Sequence, residues 1–168
     1  MTTPLASTIE LSRYFRISSR SHHGLVFLAE LARESATGKP LSIRSVAKEM
    51  HLSEGYLEEL VRCLRAGGIV RSARGRRGGY VLAKPLEHIT MGEAVRLLDG
   101  PVILAHCQDA TAGASCPAEG RCVSRHFFGK LKTAIDRELD STTLADLVSD
   151  GNPKSEYRNP KQIQNQNS

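Results

Sequence analysis

Tryptophan is missing from this chain, and four tyrosines and four phenylalanines make up the whole 5% aromatic share. Hydrophobic residues still reach 40%, so a core is affordable, but leucine, valine, isoleucine and alanine must build it. No apolar run approaches the length needed to span a bilayer, which argues against a membrane partner. The first residues, MTTPLASTIELSRYFR, lack the apolar stretch of a secretory signal. The expectation is a cytoplasmic protein, whose thiols stay reduced and whose clustered cysteines favour metal over disulfide. No P-loop, nucleophile elbow or pair of catalytic carboxylates is evident, so neither an enzyme nor a small-molecule substrate is expected.

One further absence is informative. From Val61 to Leu86 there are seven basic residues and no acidic one. Residues 1–84 hold 14 Lys/Arg against 7 Asp/Glu, while residues 85–168 hold 9 against 11, so the net charge of +5 comes from the first half. A one-signed stretch of this length is suited to a polyanion, and the phosphate backbone of double-stranded DNA is the expected partner.

What is present organises itself around that stretch. Residues 1–16 form an irregular lead-in, and GLVFLAELAR centres a first helix over about 20–35. Ile43, Val46, Ala47 and Met50 fall at i, i+3, i+4 and i+7, one face of a short helix with Ser42 at its N-cap. HLS makes a tight turn, and Ser53 caps a second helix whose core face is Leu57, Leu60, Val61 and Leu64. Gly67 and Gly68 end it, as residues that accept the left-handed conformation. Two short helices joined in this way make a helix-turn-helix. IVRSARGRRGGYVLAKP then follows as strand, glycine-rich turn and strand, a basic hairpin of the kind called a wing.

These elements nominate a DNA-reading set. The helix over 54–66 offers Tyr56, Glu58, Glu59, Arg62 and Arg65 after its cap Ser53. The hairpin offers Arg71, Arg74, Gly75, Arg76 and Arg77. A carboxylate can accept from the cytosine amino group, and Tyr56 can reach a phosphate or base edge. Arginines on a narrow glycine-rich tip suit the enhanced negative potential of the minor groove. Taken alone, the glutamates are better accounted for by an ordinary solvated helix face.

Beyond the hairpin, residues 90–98 form another short helix. The spacing Cys107-x8-Cys116-x5-Cys122 differs from the paired pattern of a zinc ribbon. The small polar residues between suit a loop wrapped around a cofactor, and three thiolates suit an iron–sulfur cluster with one non-cysteine ligand. His22, His23, His106 and His126 are the candidate histidines for that ligand, and zinc with three cysteines and a histidine, or free reactive thiols, stay open. Cys63 is expected to pack beside Leu64. Residues 123–139 form a long amphipathic helix with Phe127, Phe128, Leu131, Ala134, Ile135 and Leu139 on one side. TTLADLV adds a turn capped by Thr142 or Thr143, and a disordered tail is expected over 149–168.

ISSRSHHGLVFLAELA, the stretch from LSIRSVAKEM through YLEELVRCLRAGGIVRSARGRRGGYVLAKP to ITMGEAV, the cysteine trio and TLADLV together resemble the Rrf-two family of bacterial regulators over residues 17–148. The resemblance implies a mainly α fold with a small β-wing: a winged helix-turn-helix DNA-binding domain at 17–88, then a cluster-binding loop and long C-terminal dimerisation helix at 89–148. It implies a homodimer on a pseudo-palindromic operator, with DNA affinity set by an iron–sulfur cluster responding to redox, nitric oxide or iron status. It carries the cluster ligands to Cys107, Cys116 and Cys122, a glutamate that discriminates between operator classes to Glu58, and the minor-groove arginine to Arg74. In one member a histidine three residues after the last cysteine is the fourth ligand; that position here is Arg125, with His126 one further on. In others the ligand comes from the first helix of the partner chain, a position matched by His22. His22 is therefore preferred and His126 is the alternative. Histidine ligation leans towards a 2Fe–2S cluster, with 4Fe–4S as the other nuclearity.

Overall fold

The computed structural model describes residues 17–35, 37–75, 78–105, 108 and 121–150. The lead-in 1–16, Arg76, Arg77, His106, Cys107, Cys116 and the tail from 151 lie outside the described residues.

Helix α1 (Ser19–Ser35) opens the fold, and Ser18 caps it by accepting from the backbone N–H groups of Arg20 and Ser21 at 3.0 and 3.3 Å. It buries Phe27, Leu28, Leu31 and Ala32 at the helical spacing expected of a core-facing stripe. Helix α2 (Ile43–Met50) buries Ile43, Val46 and Ala47. Ser42 occupies its N-cap position but makes no side-chain cap bond. Ser42, Arg44 and Ser45 are exposed there, so water can serve the first-turn N–H groups and the hydroxyl is not needed. The helix closes with His51 in the left-handed region at φ 54, while Leu52 N–H donates to Ala47 O at 2.9 Å. That reversal aims the chain into α3 (Glu54–Ala66) after a three-residue link.

Ser53 caps α3 as its sequence suggests, accepting from Tyr56 N–H at 3.2 Å. Replacing Ser53 with alanine is expected to destabilise the protein by about 1 kcal/mol, read as a lowered denaturation midpoint by circular dichroism. An unchanged midpoint would mean that water replaces the cap at no cost. The face Leu57, Leu60, Val61 and Leu64 is fully buried, as the period of the sequence requires. The two glycines that end α3 play different parts. Only Gly68 has positive φ, at +73; Gly67 has φ −82. A Cβ on Gly67 would strike the Leu97 side chain and force it to shift, so close approach rather than handedness favours glycine there.

Strands β1 (Val70–Ala73) and β2 (Gly79–Leu82) pair antiparallel, with Val70 opposite Leu82 and Ala73 opposite Gly79. Leu41, just before α2, adds a bridge to the free edge of β2 through reciprocal 2.9 Å bonds with Tyr80. The second strand of the hairpin is thereby tied to the segment that leads into α2. A 3₁₀ turn (Leu86–His88) leads to α4 (Met91–Asp99), which Thr90 caps by accepting from Glu93 N–H at 3.1 Å.

Helix α5 (Val123–Ser141) has no buried residue. One edge of its apolar side, with Phe128, Ile135 and Leu139, is half-buried, and the helix lies against α4. The neighbouring edge is open: Val123 is 94%, Phe127 60% and Leu131 39% exposed. Arg96 of α4 pairs with Asp140 and, at 3.8 Å, with Asp136, fixing the joint between the two helices. Helix α6 (Leu144–Asp150) then folds back on α1. Thr143 and Asp146 cap it reciprocally, and the Thr143 hydroxyl and backbone N–H hold the Asp146 carboxyl below its ordinary range. Leu144 is fully buried in the same apolar cluster as Phe27, Leu60, Ile89 and Ala94. One core therefore runs across the expected domain boundary at 88/89 and includes residues from both sides of it.

Candidate nucleic-acid interface and cysteine centre

Helix α3 presents three distinct faces. Leu57, Leu60, Val61 and Leu64 enter the core. Tyr56, Glu59 and Cys63, at i, i+3 and i+7, form a second stripe directed at α1. The Tyr56 hydroxyl lies 3.2 Å from His23 Nδ1, with the rings edge to face at 5.6 Å between centroids. Arg20 donates to Glu59 Oε1 at 2.8 Å and to Cys63 Sγ at 3.8 Å. The Arg20 hydrogen bond and its charge hold the Glu59 carboxyl below its usual range, and the same bond raises the guanidinium pKa.

The third face carries Glu58, Arg62 and Arg65, all exposed. Among the described residues they make no hydrogen bond or ion pair, and the same holds for the exposed Arg71 and Arg74 of the hairpin. The contrast with other arginines is informative: Arg20, Arg33, Arg44 and Arg96 each pair with a carboxylate. Arg65, Arg71 and Arg74 have no carboxylate against them among the described residues, and Arg62 acts on Glu59 by charge alone, so these guanidinium groups are electrostatically available to phosphate. Gly75 turns the hairpin tip at φ +135, and its carbonyl accepts from Gly78 N–H at 2.9 Å. A side chain at Gly75 would be strained whatever the space.

Of the expected cysteine ligands, Cys122 is described. It stands at the N-cap position of α5, half-buried, with its sulfur 3.2 Å from the Ser124 hydroxyl. That hydroxyl, the backbone N–H groups of Arg125 and Ser124, and the Arg125 charge hold its thiol below the ordinary thiol range. A thiolate at a helix N-terminus is the form a metal or cluster takes up. A hollow of about 760 Å³ runs along α5 and is lined by Cys122, Arg125, His126, Gly129, Lys130 and Arg137. The alternative ligand His126 thus shares a hollow with Cys122, whereas His22 is exposed on α1. No group of three or more His, Cys, Asp or Glu that could hold a metal ion occurs among the described residues, and Cys107 and Cys116 lie outside them.

The pairings of Arg20, Arg44 and His23 escape a reading of the sequence. Arg44 donates to Glu54 at 3.1 Å, and Arg20 and Glu59 are 39 positions apart. Local periodicity carries no signal for pairs made by the packing of different helices. The N-terminus of α1 is in turn fastened to the end of α4: Ser18 and Ser21 hydroxyls donate to Asp99 at 2.6 Å, and Arg20 Nε donates to Leu98 O at 3.3 Å.

A helix-turn-helix continued by a basic hairpin, with unpaired arginines on both, defines a winged-helix DNA-binding transcription regulator. A family model described as Rrf2, iron-dependent transcriptional regulator, matches residues 17–150, and the chain belongs to this family. Among its relatives, the HTH-type transcriptional regulator CymR of Bacillus subtilis (strain 168) is 39% identical over 134 residues, covering 80% of this chain and 90% of CymR. CymR is described as the global cysteine regulator of that bacterium. A transcriptional regulator from Listeria innocua superposes with a TM-score of 0.69 at 36% identity, over 87% of this chain and 94% of its own. T. potens IscR superposes at 0.67 with 30% identity, over 89% and 96% of the two chains. The named relatives are transcription regulators and not enzymes. No described helix is long and apolar enough to cross a membrane.

Proposed function

We propose that this regulator binds a pseudo-palindromic operator as a homodimer and that an iron–sulfur cluster on Cys107, Cys116 and Cys122 sets its affinity. His22 is the fourth ligand and His126 the alternative. The single observation carrying the cluster reading is Cys122: a half-buried thiol at the start of the long helix, held below the ordinary thiol range by the Ser124 hydroxyl and the backbone N–H groups of Arg125 and Ser124. When bound, the cluster supplies a centre sensitive to redox change, nitric oxide or iron supply. The other parts are the chain's own. Arg62, Arg65, Arg71 and Arg74, with Arg76 and Arg77, hold phosphate and groove. Glu58 faces the bases, and Tyr56 reaches a phosphate or base edge when the α1 contact opens. Ser53 fixes the start of the reading helix, and Gly75 turns the tip. The exposed Val123, Phe127 and Leu131 support pairing of α5 with its copy, since a row of large apolar side chains left in water favours burial. Two such heads related by a twofold axis require a twofold operator. The state of the centre can change affinity only by favouring one dimer geometry over another.

The similarity to CymR, whose description names cysteine and no cluster, supports one second reading: a regulator without a cluster whose cysteines serve as thiols or hold zinc. Anaerobic purification with visible spectroscopy and iron, sulfide and zinc analysis separates the two. The expected result is a coloured protein with equal iron and sulfide, about two of each per site for the 2Fe–2S form. A colourless protein that resists reconstitution overturns the cluster reading and leaves DNA binding intact.

A further inference from the structure

Three carboxylates lie along the recognition helix α3, and a carboxylate facing phosphate weakens DNA binding unless it is neutralised or meets a base donor. Glu54 is neutralised by Arg44 of α2 at 3.1 Å. Glu59 is held by Arg20 of α1 at 2.8 Å. Glu58 is exposed and, among the described residues, makes no such contact. Arg20 is itself fixed in position: its Nε donates to Leu98 O, and the turn that carries it is fastened through Ser18 and Ser21 to Asp99. The pair is half-exposed, with side chains 36% and 49% accessible, and ion pairs of that kind add little to stability. Its effect is then where the carboxylate points.

We infer that Arg20 is a specificity-determining positioning residue that acts through Glu59. By drawing this carboxylate onto α1, it leaves Glu58 as the one recognition-helix carboxylate that reads the operator. The inference rests on the DNA-reading role of α3 and not on the cluster.

The test is selection of operator sequences from a randomised DNA pool by the full-length protein, followed by affinities for single-base variants. Arg20→Ala releases Glu59 towards the groove. It is expected to bind more weakly and to gain a preference of roughly tenfold for cytosine at one further position in each half-site, the scale of one good side-chain-to-base contact. Adding Glu59→Gln to Arg20→Ala is expected to restore the wild-type preference, and Arg20→Lys to keep it. A purely structural role for Arg20 would lower affinity for all sequences alike, and that result overturns the inference. So does a double variant that keeps the altered preference. If Arg20→Ala does not fold, Glu59→Gln alone decides: wild-type preference supports the inference, and an altered one shows Glu59 to be a reader already. Wild-type protein that selects no sequence would instead overturn the DNA-reading role of α3 beneath it.

Discussion

Arg74→Ala is expected to weaken operator binding by roughly ten- to a hundredfold, the equivalent of losing one well-placed groove or base contact worth about 1–3 kcal/mol. Arg74 directly follows β1, is exposed, and has no partner among the described residues to compensate its charge. Its removal should therefore cost no internal contact and leave the thermal midpoint where it was. The salt dependence separates its two roles. A phosphate contact adds about one to the slope of log affinity against log salt, so the slope should fall by about that much. A minor-groove contact instead shows as relaxed preference for a narrow, A·T-rich step. Fluorescence anisotropy against salt, on operator and on non-specific DNA, reads both. The visible spectrum should not change. Unaltered affinity on both duplexes would remove the hairpin from the interface.

Cys122→Ala is expected to lose the visible chromophore and the bound iron, while the chain still folds and pairs. The core does not depend on this side chain: Cys122 is half-buried, its described partner is Ser124, and no residue of α5 is fully buried. Far-ultraviolet circular dichroism and sedimentation should match the parent, whereas operator affinity should no longer respond to nitric oxide or oxidant. Cys63→Ala is the matched control. Cys63 packs against the apolar core and touches Arg20, so its replacement should keep the colour. A Cys122→Ala protein with full iron content and an unchanged spectrum would exclude Cys122 as a ligand.

Both experiments probe parts of the chain that sequence and structure reveal unequally. The helix-turn-helix is legible because its determinants are local. Ser53 caps the helix three residues before Tyr56 N–H, and Leu57, Leu60, Val61 and Leu64 repeat with the helical period. A strand, a glycine turn and a strand follow within 13 residues, Val70 to Leu82. The roles of the glycines are only half legible. Positive φ at Gly68 belongs to the helix end itself, but the demand for glycine at Gly67 comes from Leu97, an element away. The long helix shows the same division: its apolar side is plain in the sequence, yet which edge meets α4 and which stays open is not.

By itself, then, the sequence determined the order of elements, the faces of α1 to α3, the basic hairpin, the cysteine spacing and the family. All of these depend on residues close together in the chain or on a pattern carried whole by it. Only tertiary structure decided that Leu144 closes the core beneath α1, that Tyr56 meets His23, and that Glu59 is held by Arg20 while Glu58 has no partner among the described residues. Those outcomes follow from how helices distant in sequence are set against one another. A side chain's charge can be read from the chain, but whether that charge is spent internally or left for DNA depends on what packing brings beside it.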